Sequence, residues 1–304
     1  IVSAQANVAQ SPLLLGGGNV PGNLVLTPSV EYPTVISAAN LGSYDKFANY
    51  AGYFDSDKCY EYKSEGFTHQ KFGYINADDG GGYFTPKNFD FKISKSCGGK
   101  WWSGHYLNWA ATQTIDPFRK ALTGGYRVVD TEKQTILEKA TRSGRSESFS
   151  NRSIPKSVSA AVSPSPYKNS TLESSIFSGN TEYKKNKTLQ INNKHFSVRV
   201  EVCKAGLLEE NCKKYGNHYK PEGLLQEYAD DIRYSVFSYL NIDGNGIDGG
   251  VLRSPQDYIG ARKREPGEPG TSDNTYAEWN PKTGVLYDNP RKDGIGNSGD
   301  RKST

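Results

Sequence analysis

The sequence contains no methionine, and it has only four histidines and four cysteines. Without Met, the start Ile1-Val2-Ser3-Ala4-Gln5-Ala6 reads as the trailing edge of a processed signal peptide or of a trimmed fragment. No apolar run approaches the roughly 20 residues of a membrane span, so the chain is expected to be soluble after export. Leu, Ile, Val and Phe are sparse, and mean hydropathy is −0.70, which predicts a modest core with long loops. A strong charge of one sign is also lacking. The net charge is +4, with no basic stripe interleaved with stacking aromatics, which argues against nucleic acid. Arg262-Lys263-Arg264 and Arg291-Lys292 read as solvated loops.

Catalytic signatures are missing as well. None of His69, His105, His195 and His218 sits in a hydrolase-like motif, and there is no G-x-S-x-G, Walker loop or H-E-x-x-H. Gly16-Gly17-Gly18 is followed by Asn19-Val20-Pro21-Gly22, which has no Lys-Ser/Thr pair and starts no helix. Asp230-Asp231 and Glu209-Glu210 are neighbours in sequence and cannot flank one substrate. An enzyme is not expected, and a secreted hydrolase is only a minor alternative.

The four cysteines fit two disulfides in an exported protein. Three pairings exist, and local order favours Cys59–Cys97 with Cys203–Cys212. Loop closure would give these roughly 4 and 3 kcal/mol. The spacings lack C-x-x-C, which disfavours zinc.

Gly (32) and Tyr (20) are abundant, and three of the four Trp lie between Trp101 and Trp109. A helical pattern follows, with Thr114 as N-cap, Pro117 in the first turn, Phe118, Ala121 and Leu122 on one face, and Gly124-Gly125 as the stop. On physical grounds this is a core helix behind an aromatic cluster, with Trp109 buried.

Elsewhere, Asn23-Leu24-Val25-Leu26 and 30–37 read as strands, and Tyr53-Phe54 with Cys59–Tyr62 as a hairpin around Asp55-Ser56-Asp57. Tyr126–Val129 reads as a strand, and 132–141 as a helix capped by Thr131 with Ile136, Leu137 and Ala140 inward. His195–Cys203 alternates as a half-buried strand with Phe196, Val198, Val200 and Val202 on one face. A helix opens at Pro221-Glu222-Gly223, and Arg233–Leu240 is a strand.

The expected organisation is a processed remnant over 1–11, a folded part over 12–142, a Ser/Asn-rich excursion or linker over 143–187, a second part of the same domain over 188–290, and a tail over 291–304. Tyr74, Tyr83 and Phe84 are candidates for surface contact, because aromatic loops give large area at low entropic cost. Asn241-Ile242-Asp243-Gly244-Asn245-Gly246-Ile247-Asp248 carries alternating oxygen side chains with Gly at the sixth position, as in the front half of a calcium loop. Asn241, Asp243, Asn245 and Asp248 are the candidate ligands, and calcium is the one cofactor candidate. Leu252 stands where a bidentate Glu would be needed, and a plain Gly/Asn/Asp turn has the same composition.

The segment Trp102-Ser103-Gly104-His105-Tyr106-Leu107-Asn108-Trp109-Ala110, with Ile115-Asp116, Arg119-Lys120, Leu122 and Gly124-Gly125, resembles the PilC/PilY family associated with the tips of bacterial type IV pili. Gly52–Asp55 with Lys58–Tyr62, Cys97-Gly98-Gly99, Arg127–Asp130, Lys220–Gln226, Asp248–Arg253 and Glu278–Gly284 extend the likeness in the family's order across about residues 50 to 290. The resemblance implies an exported protein at the pilus tip or cell surface, acting in adhesion and pilus assembly. It implies a host-cell or abiotic surface receptor as partner. Minor pilins would be reached through a C-terminal propeller half that is not in this chain. A structural tip cap without receptor binding is the alternative. Many members carry a von Willebrand A-like domain, so a mixed α/β fold with a degenerate core of that kind and large loop insertions is the first architecture. An unrelated α+β fold is the second. The Asp-x-Ser-x-Ser metal triad of that domain is not found in Asn23–Glu31.

Overall fold

The computed structural model describes residues 22–28, 37–140, 151–178, 185–239, 250–261 and 277–287. In chain order the first elements are β1 (Gly22–Leu26), β2 (Lys58–Lys63), β3 (Phe67–His69), β4 (Gly73–Ile75), β5 (Tyr83–Asp90), α1 (Phe91–Ser94), β6 (Trp102–Ser103), α2 (Gly104–Ala111), α3 (Ile115–Thr123), β7 (Arg127–Asp130) and β8 (Thr135–Glu138). Then come β9 (Arg152–Ile154), α4 (Lys156–Val162), β10 (Leu172–Ser178), β11 (Lys185–Ile191), β12 (Lys194–Ser197), β13 (Arg199–Val202), β14 (Cys212–Tyr215), β15 (His218–Pro221), α5 (Leu224–Glu227), β16 (Ile232–Tyr239) and β17 (Gly250–Asp257).

The chain is mixed α/β. Its main sheet has the order β6-β2-β5-β13-β8-β7, antiparallel except where β13 meets β5 at Val200 and Phe84. An antiparallel sheet β12-β11-β10-β9 shares its core. The third sheet is β1-β16-β17, and β3–β4 and β14–β15 are small hairpins. A doubly wound core needs parallel strands joined by crossover helices. Among the described residues the main sheet has one parallel pair, and its helices run from four to nine residues. The mixed α/β expectation holds, and the described strands show no doubly wound core of the von Willebrand A-like kind.

α2 packs against β2, β6 and β10 and is buried along its whole length. Of the three clustered Trp, Trp101 lies at a bend, Trp102 on β6 and Trp109 in α2. Ser103 starts this helix by accepting a hydrogen bond from the Tyr106 amide at 3.3 Å. Being surrounded, α2 must satisfy its polar side chains internally, and His105, Asn108 and Trp109 do so by holding the irregular segment 37–57. Asn108 Nδ2 donates to the Phe54 carbonyl (2.9 Å), the Tyr50 carbonyl (3.2 Å) and Ser56 Oγ (3.1 Å), while its Oδ1 accepts from the Phe54 amide (3.2 Å). Trp109 Nε1 donates to the Gly42 carbonyl at 3.0 Å. Gly52 must lack a side chain, because a Cβ there would lie 2.0 Å from Asn108 Oδ1.

α3 forms where the capping and stop signals put it, ending at Gly124 with φ 81°, a left-handed conformation suited to Gly. Its facing is inverted. Phe118 is 56% exposed and Ala121 is exposed, whereas Asp116 is the buried residue. Thr114 caps nothing and instead shares a hydrogen bond with Ser37 at 2.9 Å. The helix expected over 132–141 is strand β8, held between β7 and β13 and buried at every position. Thr131 Oγ1 accepts from the Gln134 amide at 3.1 Å and makes the β7–β8 turn rather than a helix cap. Ile136 and Leu137 point to opposite buried faces, which periodicity alone reads equally as helix.

Tyr53-Phe54 is not a strand, so no hairpin precedes β2. The 195–203 run divides into β12 and β13, and Arg199 is as buried as Val200, so both faces are covered. The Ser/Asn-rich stretch contributes β9, α4 and β10, whose Ile154, Val162, Leu172 and Ile176 enter the main core.

Replacing Trp109 by Ala, buried against Tyr44, Tyr106 and Arg152, is expected to cost about 3–5 kcal/mol in denaturant unfolding. A loss below about 1 kcal/mol would contradict its core placement.

Candidate functional site

Two buried carboxylates fix the scaffold beneath the surface. Glu138 on β8 receives Arg199 Nε from β13 at 2.6 Å and Lys187 Nζ from β11 at 2.8 Å. Arg199 also donates to the Gly80 carbonyl, drawing in the 77–82 turn. Asp130 on β7 accepts Arg127 Nη1 at 3.0 Å, Lys220 Nζ at 2.8 Å and the Leu286 amide at 2.9 Å. Burial alone would raise both carboxyls. At Glu138 the charges of Arg199 and Lys187 outweigh burial, and at Asp130 those of Arg127 and Lys220 do, so both groups lie below the usual carboxylate range.

Both disulfides form in the locally ordered pairing, Cys59–Cys97 with Cα atoms 5.8 Å apart and Cys203–Cys212 at 5.5 Å. Glu209 in the second loop accepts the Cys203 amide at 2.6 Å and pairs with Lys58 Nζ at 2.8 Å, which ties that loop to the start of β2. Cys203, Glu209 and Cys212 cluster tightly, but both sulfurs are spent in the disulfide and are not thiolate ligands.

The Cys59–Cys97 bridge anchors a raised surface formed by the end of β5, α1 and the Gly98–Trp101 turn. Ile93 stands 87% exposed. The Phe89 and Trp101 rings lie 5.2 Å apart on the flanking segments. Lysines border the apolar side chains: Lys92 and Lys100 are exposed, Lys95 lies over the Phe91 ring, and Lys168 packs against Gly99. Asp57 sits 3.7 Å from Lys92. A fixed backbone carrying aromatic and aliphatic groups with cations at the edge is suited to non-covalent contact with an acidic partner.

Of the residues chosen from sequence, Tyr74 is exposed on β4 and free to make contact. Tyr83 is half-buried, donates to Glu65 at 3.0 Å and packs on Phe67, an anchoring role. Phe84 is fully buried between Phe54 and Tyr62, so it is withdrawn from the contact set. Strand alternation on β5 turns Phe84 inward beside its neighbour Tyr83. Asn241, Asp243, Asn245 and Asp248 lie outside the described residues. His105, one of the four histidines, has both ring nitrogens engaged, with Tyr44 Oη at 3.0 Å and the Ala48 carbonyl at 2.7 Å, and burial lowers its pKa. No local pattern in the sequence marks the lysine-bordered surface. Its components, Phe89, Lys92, Ile93, Lys100 and Trp101, are scattered across a strand, a short helix and a turn, and the Cys59–Cys97 pairing was the one signal that drew them together.

A mixed α/β unit stapled by two disulfides fits an exported or surface protein. No helix among the described residues is long and apolar enough to cross a membrane. Residues 42–201 match the family described as PilY1 homolog, small alpha/beta domain, and the chain belongs to that family. A "Type IV pilus biogenesis factor PilY1 homolog" of Xylella fastidiosa strain Temecula1 is 44% identical, with 95% of this chain and 25% of the relative covered. A second protein of the same name from that strain is 28% identical, with 67% of this chain and 16% of the relative covered. The chain thus spans about a quarter or less of the length of these relatives. No solved structure matches.

Because Glu138 and Asp130 titrate below their unfolded-chain values of about 4, their stabilisation is complete above that pH and is lost as pH falls towards the folded values. Unfolding free energy is expected to hold between pH 7 and pH 5 and to drop steeply below about pH 4. Glu138→Gln should cost about 3–5 kcal/mol at pH 7 and flatten the acid limb. An unchanged acid limb in that variant would remove Glu138 as its source.

Proposed function

We propose that the chain is the N-terminal adhesive, surface-contact region of a type IV pilus tip protein, which mediates attachment and supports pilus assembly. Support comes from its family, from relatives named as pilus biogenesis factors, and from two disulfides suited to an exported location. The observation that carries the adhesive reading is the surface of Phe89, Ile93 and Trp101 bordered by Lys92, Lys95, Lys100 and Lys168. Ile93 makes no sense as packing, and a disulfide holds the backbone beneath it. The mechanism is contact rather than chemistry: apolar groups give adhesion area, and the lysines favour an acidic host-cell or abiotic surface. Tyr74 adds to this reading as an exposed ring on the β3–β4 hairpin. Pilus-system partners, minor pilins among them, would be engaged through other parts of the longer protein.

Adhesion of the purified chain to carboxylate-coated and uncharged beads tests this reading. Binding is expected to favour the acidic beads, to weaken between low and high salt, and to fall at least about tenfold in Ile93→Asp with Lys100→Glu, with the melting temperature unchanged. Equal binding by the variant would refute the contact surface. If pili assemble normally with the variant in the full-length protein but adhere poorly, adhesion separates from assembly. If assembly fails instead, the part is a structural cap.

Calcium at Asn241, Asp243, Asn245 and Asp248 is a separate proposal resting on the spacing of oxygen side chains. Saturable heat on calcium titration, abolished by Asp243→Ala, supports it. No heat reduces the run to a turn.

A further inference from the structure

Lys139, at the end of β8, directs its ammonium group inward. Nζ donates to the side-chain oxygen of Gln113 and, at 3.0 Å, to the Ala140 carbonyl. Lys139 is 2% exposed and Gln113 is fully buried. Asp116, one turn beyond Gln113, is equally buried. Its Oδ1 accepts the Ala140 amide at 2.9 Å, and its own amide donates to the Gln113 carbonyl at 3.0 Å. Lys139 is the strongest charge acting on Asp116. An amine, a carboxamide and a carboxyl group therefore share one water-excluded site.

These are the parts that amide exchange requires: a desolvated amine as nucleophile, a carbonyl carbon as electrophile, and an acid to carry protons between them. Burial pushes the Asp116 carboxyl upward, which suits the acid to that task. The other buried lysines are differently placed. Lys187 and Lys220 face Glu138 and Asp130, which arginines hold as carboxylates, and a carboxylate resists attack by an amine. Lys139 alone among these three faces a neutral amide.

We propose that Lys139 and Gln113 join in an intramolecular isopeptide bond, with Asp116 as the proton carrier. The Lys139 ammonium passes a proton to the Asp116 carboxylate, and the amine so formed attacks Cδ of Gln113 and forms the new C–N bond. The carboxyl of Asp116 protonates the Gln113 oxygen of the tetrahedral intermediate and takes that proton back as the carbonyl re-forms. The original C–N bond breaks, and ammonia leaves with a proton from the Lys139 nitrogen. An amine and a primary amide become a secondary amide and ammonia, with no oxidant, reductant or further reactant. The bond links positions 26 residues apart and encloses α3, β7 and β8 in a covalent ring. In a pilus protein that ring would take these elements out of the path of a pulling force.

Intact-mass spectrometry of the full chain, denatured and with disulfides reduced, tests the bond without requiring any variant to fold. The wild type is expected to be lighter than its sequence mass by one ammonia, about 17 Da, and proteolysis should yield one branched peptide joining the segments around Gln113 and Lys139. Lys139→Arg and Gln113→Ala should each restore the full sequence mass, and Asp116→Asn should slow or abolish the loss. A wild-type chain at its full sequence mass would overturn the proposal. So would a deficit that persists in Lys139→Arg.

Discussion

A helix enclosed on every side leaves none of its polar groups to water, and much of this structure follows from that constraint at α2. Three of its side chains do more than find partners. They supply the hydrogen bonds that give segment 37–57 its shape. Asn108 fastens Tyr50, Phe54 and Ser56, His105 fastens Tyr44 and Ala48, and Trp109 fastens Gly42. A loop of that length without regular structure would otherwise be left with unpaired backbone groups against an apolar core. Asn40 completes the arrangement from the loop side, donating to the Ala51 and Asn108 carbonyls at 2.8 and 3.0 Å.

The same economy recurs in the sheet. The sequence is short of aliphatic residues, and the interior makes up the volume with aromatic rings and paired charges. Tyr60, Tyr106, Phe84 and Phe91 are buried alongside Arg127, Arg199 and Lys220. Paired charges of this kind add less net stability than well-packed aliphatic groups, yet removing one partner is costly, so they specify which strands meet. Glu138 fixes β8 against β13 and β11, and Asp130 brings the 284–286 segment and β15 to β7. The disulfides then secure two further links, Cys59–Cys97 within the main core and Cys203–Cys212 between the end of β13 and the start of β14.

The legible parts of the sequence were those governed by local rules. The stop of α3 at Gly124, the β7 strand and the cysteine pairing follow from neighbours along the chain. The errors arose where tertiary context decides. Ile136 and Leu137 suit a helix or a doubly buried strand equally, and only pairing with β7 and β13 chooses. Phe118 was assigned to the core by its apolar character, but the carboxyl of Asp116 has a backbone donor inside and Phe118 has none to gain. Phe84 and Tyr83 differ in exposure because they are consecutive on one strand. The lysine-bordered surface assembles from segments whose meeting no periodicity encodes.

In this account the resemblance to pilus proteins and the structure agree at one place, because the segment that carried the likeness is the helix on which the loop depends. Hydrogen exchange of Asn108→Ala against the parent chain is the most direct test. The account predicts that amides over 42–57, Phe54 foremost, lose protection while those of β10–β12 keep theirs, with a stability loss of about 2–4 kcal/mol. Unchanged protection over 42–57 would contradict the claim that α2 shapes the loop.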